Sequence, residues 1–222
     1  MNAPCELPPS ATIVAHCAEA GDLAAIFEEA VQIAVLPRAV DAGISGYLAR
    51  AAATGRLCSG FRAELGTGEG SGKSEIDLPD LPGREALVGD ITGLAELYGD
   101  LLGCRSVGLR LEVIERAMCP RFHVDHVGIR MLCTFRGPGT EWLDAAAADR
   151  NLLGARSGGQ PDETSGLIRD SRGIHAVPPF AVALLKGDLW QGNAGRGIIH
   201  RSPSVLVEQA PRILVAIDAI WD

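Results

Sequence analysis

Along the first hundred residues, apolar positions recur at steps of three and four. Leu23, Ile26, Phe27, Ala30, Val31 and Ala34 form one series, and Leu87, Ile91, Leu94, Leu97, Tyr98 and Leu101 form another. That spacing gathers each set on one side of a helix and predicts two amphipathic helices. Asp22 and Asp90 stand where early-helix or capping acids belong. Residues 66–83, rich in Gly, Ser, Asp and Pro, predict a loop between them. From Val107 onward the pattern changes to short β-branched or alternating runs, each closed by Gly, Pro or Asp. Strands are expected at 107–114, 122–125, 129–135, 174–177, 181–185, 197–200 and 212–217, with a three-residue run at 141–143. Short strands with turns between them point to a barrel or sandwich and away from alternating βαβ units. The polar stretch 145–173 has no period and is expected as a long loop over one end of that barrel. The whole chain, 1–222, therefore reads as a single domain that is mainly β with flanking helices: a helical layer over 1–103 and a β core over 104–222.

Composition narrows the function classes. Of the 222 residues 47% are hydrophobic, enough for a core without staples. The 28 acidic and 20 basic residues give a net charge of −8, the wrong sign for a protein that screens phosphates, so nucleic acid is not an expected partner. Residues 1–103 hold 15 of the acids against 6 bases; these helices are expected to buttress the core, with a homodimer face or a basic partner left open. Six cysteines, at 5, 17, 58, 104, 119 and 133, include no C-x-x-C pair and read as reduced thiols. The start resembles no signal peptide and no run reaches the ~18 apolar residues of a membrane span, so a cytoplasmic location is expected.

Two familiar chemistries fail on inspection. The Gly-rich run at 66–74 looks like a phosphate-binding loop, but position 67 is Thr where the first Gly is needed, Pro79 and Pro82 interrupt the helix that should follow, and Glu69 would repel a phosphate. No Gly-x-Ser-x-Gly elbow occurs. Cys119 and His123, four residues apart on a strand, would be ~13 Å apart, too far for a proton relay.

The informative stretch is Met118-Cys119-Pro120-Arg121-Phe122-His123-Val124-Asp125-His126. On a strand, His123 and Asp125 point one way while Val124 and His126 point the other. An imidazole and a carboxylate so placed supply two corners of a facial metal triad, leaving one ligand to come from elsewhere and three positions open. His200, which ends the apolar run Gly197-Ile198-Ile199, is the best supplier of that third corner. Arg212 leads into the apolar run 213–217; a charge entering a buried strand has to be paired, so it should face a carboxylate of the protein or of a ligand. Arg201 and Arg130 are further candidates for holding an anion, followed by Arg110 and Arg121. Residues 104–222 contain 13 Arg and one Lys, a choice that favours bidentate carboxylate recognition. The plain alternative is an H-x-D that arose by chance and a hydrogen-bonded core histidine.

His123-x-Asp125, then His200, then Arg212 twelve positions on, resemble the iron(II)- and 2-oxoglutarate-dependent oxygenases over about residues 105–220. The resemblance implies a double-stranded β-helix (jelly-roll) barrel. It implies Fe(II) on His123, Asp125 and His200, and 2-oxoglutarate held by Arg212 with Arg201 and Arg130 as further contacts. The segment from Gly187-Asp188 to His200 also resembles the second half-motif of cupins, although His123-Val124-Asp125 departs from their first. Over most of the chain, the 118–125 and 133–143 stretches with the Gly-Asp-Leu-Trp and His-Arg-Ser-Pro elements resemble a bacterial family of domains of unknown function. Members of that family tend to be encoded near zinc-homeostasis functions. The leading expectation is thus a dioxygenase hydroxylating an unknown substrate. The alternatives are a non-catalytic zinc protein, with Cys119 or Cys133 as fourth ligand, and a metal-free binding module.

Overall fold

The computed structural model describes residues 11–57, 59–68, 76–116, 119–206 and 211–221. Most of the 66–74 run lies outside these residues, as do Cys5, Cys58 and Met118. Ten strands are found among the described residues: β1 (Ile13–His16), β2 (Val31–Leu36), β3 (Phe61–Gly66), β4 (Ser106–Ile114), β5 (Ile129–Arg136), β6 (Glu141–Leu143), β7 (Ile174–Ala176), β8 (Val182–Lys186), β9 (Ile199–Arg201) and β10 (Arg212–Ile220). They form a seven-stranded sheet in the order β1-β2-β8-β5-β10-β4-β3 and a three-stranded sheet in the order β7-β6-β9. Two helices, α1 (Ala42–Ala53) and α2 (Arg84–Leu102), complete the main layers. The fold is a jelly roll whose sheets face each other, and no closed barrel forms among the described residues. Among those residues no helix is long and apolar enough to cross a membrane.

Alternation along the central strands explains the layering. On β5, Ile129, Met131, Cys133 and Phe135 join the core shared with α1 and α2, while Leu132 belongs to the core against the smaller sheet. On β10, Ile213, Val215 and Ile217 face the helices, and Leu214 and Ala216 face the smaller sheet. Each strand with both faces covered therefore reads as nearly continuous apolar sequence. The polar exceptions on the inner face are the residues of chemical interest: Arg110, Glu112, Arg130 and Arg212 all line one cavity there.

Residues 1–103 are not helical throughout, because β1, β2 and β3 belong to the larger sheet. The helix expected over 23–34 is an eight-residue 3₁₀ stretch, Ala20–Phe27, and Val31 to Leu36 form a fully buried strand. Asp22 starts the 3₁₀ stretch as expected, accepting from the Ala18 and Glu19 amides at 2.8 and 3.1 Å. Asp90 caps nothing; it lies within α2 and grips Arg38 through two bonds of 2.8 and 3.0 Å. The cap of α1 is Asp41, which accepts from the Ile44 amide at 2.8 Å. Gly103 closes α2 with φ +71°, a left-handed conformation that glycine adopts without a Cβ penalty.

Candidate metal site

The expected strand at 122–125 is reduced to a single bridge. His123 exchanges backbone hydrogen bonds with His200 of β9, amide to carbonyl at 3.0 and 2.9 Å, which adds a fourth line of chain to the smaller sheet. Beyond that bridge the regular ladder breaks: in place of the Arg121 carbonyl, the Ser202 amide donates to the Cys119 carbonyl at 2.9 Å. The Arg121 carbonyl is left to accept from His123 Nδ1 at 2.9 Å. The Ile198 carbonyl does the same for His200 Nδ1 at 3.2 Å. A carbonyl only accepts, so both rings carry their hydrogen on Nδ1 and, when neutral, present a bare Nε2.

Those two nitrogens converge on Asp125. His123 Nε2 lies 3.5 Å from Oδ1 and His200 Nε2 lies 3.3 Å from Oδ2. The three side chains offer ligand atoms that all lie within 4.8 Å of one another. Lone pairs facing lone pairs at such distances repel unless a proton on an imidazole or a metal cation sits among them. Adjacent corners of an octahedron with bonds of ~2.1 Å lie ~3 Å apart, close to the separations from Asp125. Burial works against charge on Asp125, but His123, His200 and Arg130 outweigh it and hold the carboxyl far below the usual carboxylate range. Burial also opposes charge on His123, where the Asp125 carboxylate and the Arg121 carbonyl win and raise its pKa.

The three arginines expected to hold a cofactor sit in different surroundings. Arg201 is paired with Glu141 and Glu163, at 2.7 Å each, and lies over the Phe122 ring at 4.2 Å. Arg130 is paired with Asp125 and Asp218. Arg212 is 1% exposed, and among the described residues its hydrogen bonds go to neutral oxygens: Pro138 carbonyl at 2.7 Å, Thr140 at 2.9 Å, Thr134 at 3.2 Å and Ser202 at 3.3 Å. Burial lowers its pKa to about 10, so it remains a cation at neutral pH. Arg212, Ser202 and Thr140 line the same cavity, of about 230 Å³, as His123, Asp125 and His200.

Cys133 cannot serve as a fourth metal ligand. It lies on the helix-facing side of β5, 3.3 Å from Arg38 Nη2, where burial pushes its thiol up to about 12. Cys119 lines the cavity wall and is exposed. His126 turns away to pair with Asp188 at 3.0 Å, and His175 stacks on Trp142.

Several supporting residues carry no chemical pattern in the sequence. The 145–173 stretch is a chain of short turns including α3 (Asp162–Ser165). From α3, the buried Asp162 accepts from the Phe122 amide at 2.5 Å and from Arg121 at 3.3 Å, and so grips the segment carrying His123. Arg150 donates to the carbonyls of Gly195, Arg196 and Gly197 just before β9. The turn after β8 ties the amides of Gly187, Asp188 and Leu189 to the carbonyls of Gly128, Asp125 and Val127, at 2.7, 3.2 and 3.1 Å. A Cβ at Gly187 would be driven into the Val127 carbonyl and lie 2.8 Å from that of Asp125. Gly187→Ala is therefore expected to cost ~1–3 kcal/mol of stability and to weaken metal binding, as read by thermal unfolding and by cobalt titration. The glycine of Gly-Asp-Leu-Trp was the one visible sign of this contact.

No curated protein matches the chain in sequence. The dioxygenase for auxin oxidation 1 from Arabidopsis thaliana, solved as a binary complex with 2-oxoglutarate, is similar in structure with a TM-score of 0.50 at 10% identity, over 95% of this chain and 93% of that one. The rice dioxygenase for auxin oxidation gives 0.49 at 15% identity, over 94% and 83%. A putative oxygenase from Shewanella oneidensis gives 0.47 at 11%, over 94% and 89%. At such identities the Arabidopsis likeness establishes a shared fold. The sequence family described as "Protein of unknown function (DUF1826)" matches residues 18–218, and the chain belongs to that family.

Proposed function

We propose that the chain is a metal-dependent oxygenase using Fe(II) and 2-oxoglutarate, with His123, Asp125 and His200 as the metal ligands and Arg212 as the partner of the co-substrate's far carboxylate. One observation carries the reading. Two imidazole Nε2 atoms and a carboxylate converge at one part of a cavity that also holds a buried guanidinium paired with no carboxylate among the described residues. Two nitrogens and one oxygen that leave positions free suit Fe(II) better than a closed zinc site. Fe(II), when bound, would activate dioxygen, which is the oxidant, and 2-oxoglutarate would give up two electrons as it becomes succinate and carbon dioxide.

The chain's own residues supply placement. The Arg121 and Ile198 carbonyls fix both imidazoles in one tautomer and one orientation. Arg212 offers fixed donors to an incoming carboxylate, with the Ser202 and Thr140 hydroxyls beside it. A cavity of about 230 Å³ corresponds to roughly seven or eight waters at ~30 Å³ each, room for a small dicarboxylate. The substrate would then approach from the open side. The jelly roll shared with an Arabidopsis protein solved with 2-oxoglutarate supports testing that co-substrate first.

The test is anaerobic Fe(II) titration followed by oxygen with 2-oxoglutarate. The expected result is one Fe(II) per chain and release of succinate and carbon dioxide that a chelator suppresses. No Fe(II) uptake, or no metal-dependent consumption of 2-oxoglutarate, would overturn the proposal.

A further inference from the structure

We infer that Arg130 and Asp218 are positioning residues that make Asp125 bind its metal through one oxygen only; the inference rests on the metal-site reading above. Asp125 has an imidazole near each oxygen, so geometry around the histidines alone does not choose between them. Arg130 does. Its Nη1 donates to Oδ2 at 2.5 Å in a charge-assisted bond. Oδ1 keeps its lone pairs for the metal. A carboxylate binding through both oxygens would occupy two of six positions and leave two; held through one, it leaves three.

Arg130 is not free to swing away. Its Nε and Nη2 make two parallel bonds to Asp218 Oδ1 and Oδ2, at 2.7 and 2.8 Å, a fork that only a planar guanidinium can make. Asp218 sits directly across the β10–β5 ladder from Arg130, and Arg110 on the other neighbouring strand donates to its Oδ2 at 3.1 Å. The side chains of Arg130 and Asp125 are 16% and 15% exposed, so little water competes for the pair. The chain of alternating charges runs Arg110, Asp218, Arg130, Asp125. It ends on the candidate ligand, and none of its first three members belongs to the ligand cluster.

Cobalt(II), loaded without oxygen into the full chain, reports both affinity and coordination through its visible absorption. Wild type is compared with Arg130→Gln, Arg130→Lys and Asp218→Asn. The expected result is a loss of affinity of about 10–100-fold in Arg130→Gln and Asp218→Asn, the range for removing an outer partner of a metal ligand, with a changed absorption intensity. Arg130→Lys keeps the charge but not the fork and is expected not to restore the wild-type spectrum. Circular dichroism and thermal unfolding identify variants that have simply unfolded. Asp218→Asn, which keeps its shape and one acceptor, serves if the Arg130 variants do not fold. Folded variants with affinity within about twofold of wild type and an unchanged spectrum would overturn this inference and leave the metal site standing. A wild-type chain that takes up no cobalt would overturn both.

Discussion

Replacing His200 by Ala is expected to reduce Fe(II) or Co(II) affinity by more than about 100-fold, beyond the range for losing an outer partner. The side chain belongs to a residue 5% exposed, on a strand whose backbone is bonded to His123 in both directions. Truncation removes one of three converging ligand atoms and leaves a site with two, while the backbone bridge to His123 can persist. Cavity formation and the lost bond to the Ile198 carbonyl are expected to cost ~1–3 kcal/mol of stability, so the variant should fold. His123→Ala is expected to give a similar loss, and the double variant little more, because the ligands act as a unit. Metal content after anaerobic loading and desalting decides it; a His200→Ala chain that retains stoichiometric metal would remove His200 from the site.

Arg212→Met is expected to spare metal uptake and to weaken 2-oxoglutarate binding by about 10²–10³-fold. Hydrogen bonds to a charged group contribute ~1.5–3 kcal/mol each. Losing the guanidinium's hold on a carboxylate is therefore worth ~3–4 kcal/mol, at about 1.4 kcal/mol per tenfold. Met fills much of the same space at the head of β10, and the hydroxyls of Thr134, Thr140 and Ser202, which now meet Arg212, can rotate to new partners. Arg212→Lys is expected to fail as well, because a point charge cannot reach four acceptors held in a fork. Calorimetric titration of 2-oxoglutarate into the manganese-loaded chain separates the two roles Arg212 can have. Unchanged affinity with a lowered melting temperature would make it a pin for the surrounding loops.

What the sequence reveals depends on how locally the chemistry is written. Strand alternation nominates His123 and Asp125, two residues apart, and the apolar run that ends on His200 nominates the third; the structure brings them together, although 122–125 forms only a bridge. The later strands were legible because Gly, Pro or Asp closes each run. β2 was not: Val31, Ala34 and the preceding Leu23, Ile26 and Phe27 imitate a helical period, although a strand covered on both faces carries no period of its own. The relation of Arg130 to Asp218 was also hidden, since 88 positions separate them and only the β10–β5 register makes them neighbours. Asp162 lay in a stretch whose polarity predicted only a loop, and nothing local distinguishes an acid that faces water from one that receives a buried amide.

Tyr98 of α2 donates its phenol to the Ile129 carbonyl at 2.5 Å and accepts from the Ala219 amide at 3.1 Å. Those two backbone groups are next in sequence to Arg130 and Asp218. A single rivet from the outer acidic layer thus fastens the rails on which the inner charge relay travels. Loosening that rivet would be felt on the far side of the sheet, so helix and candidate metal site belong to one mechanical unit.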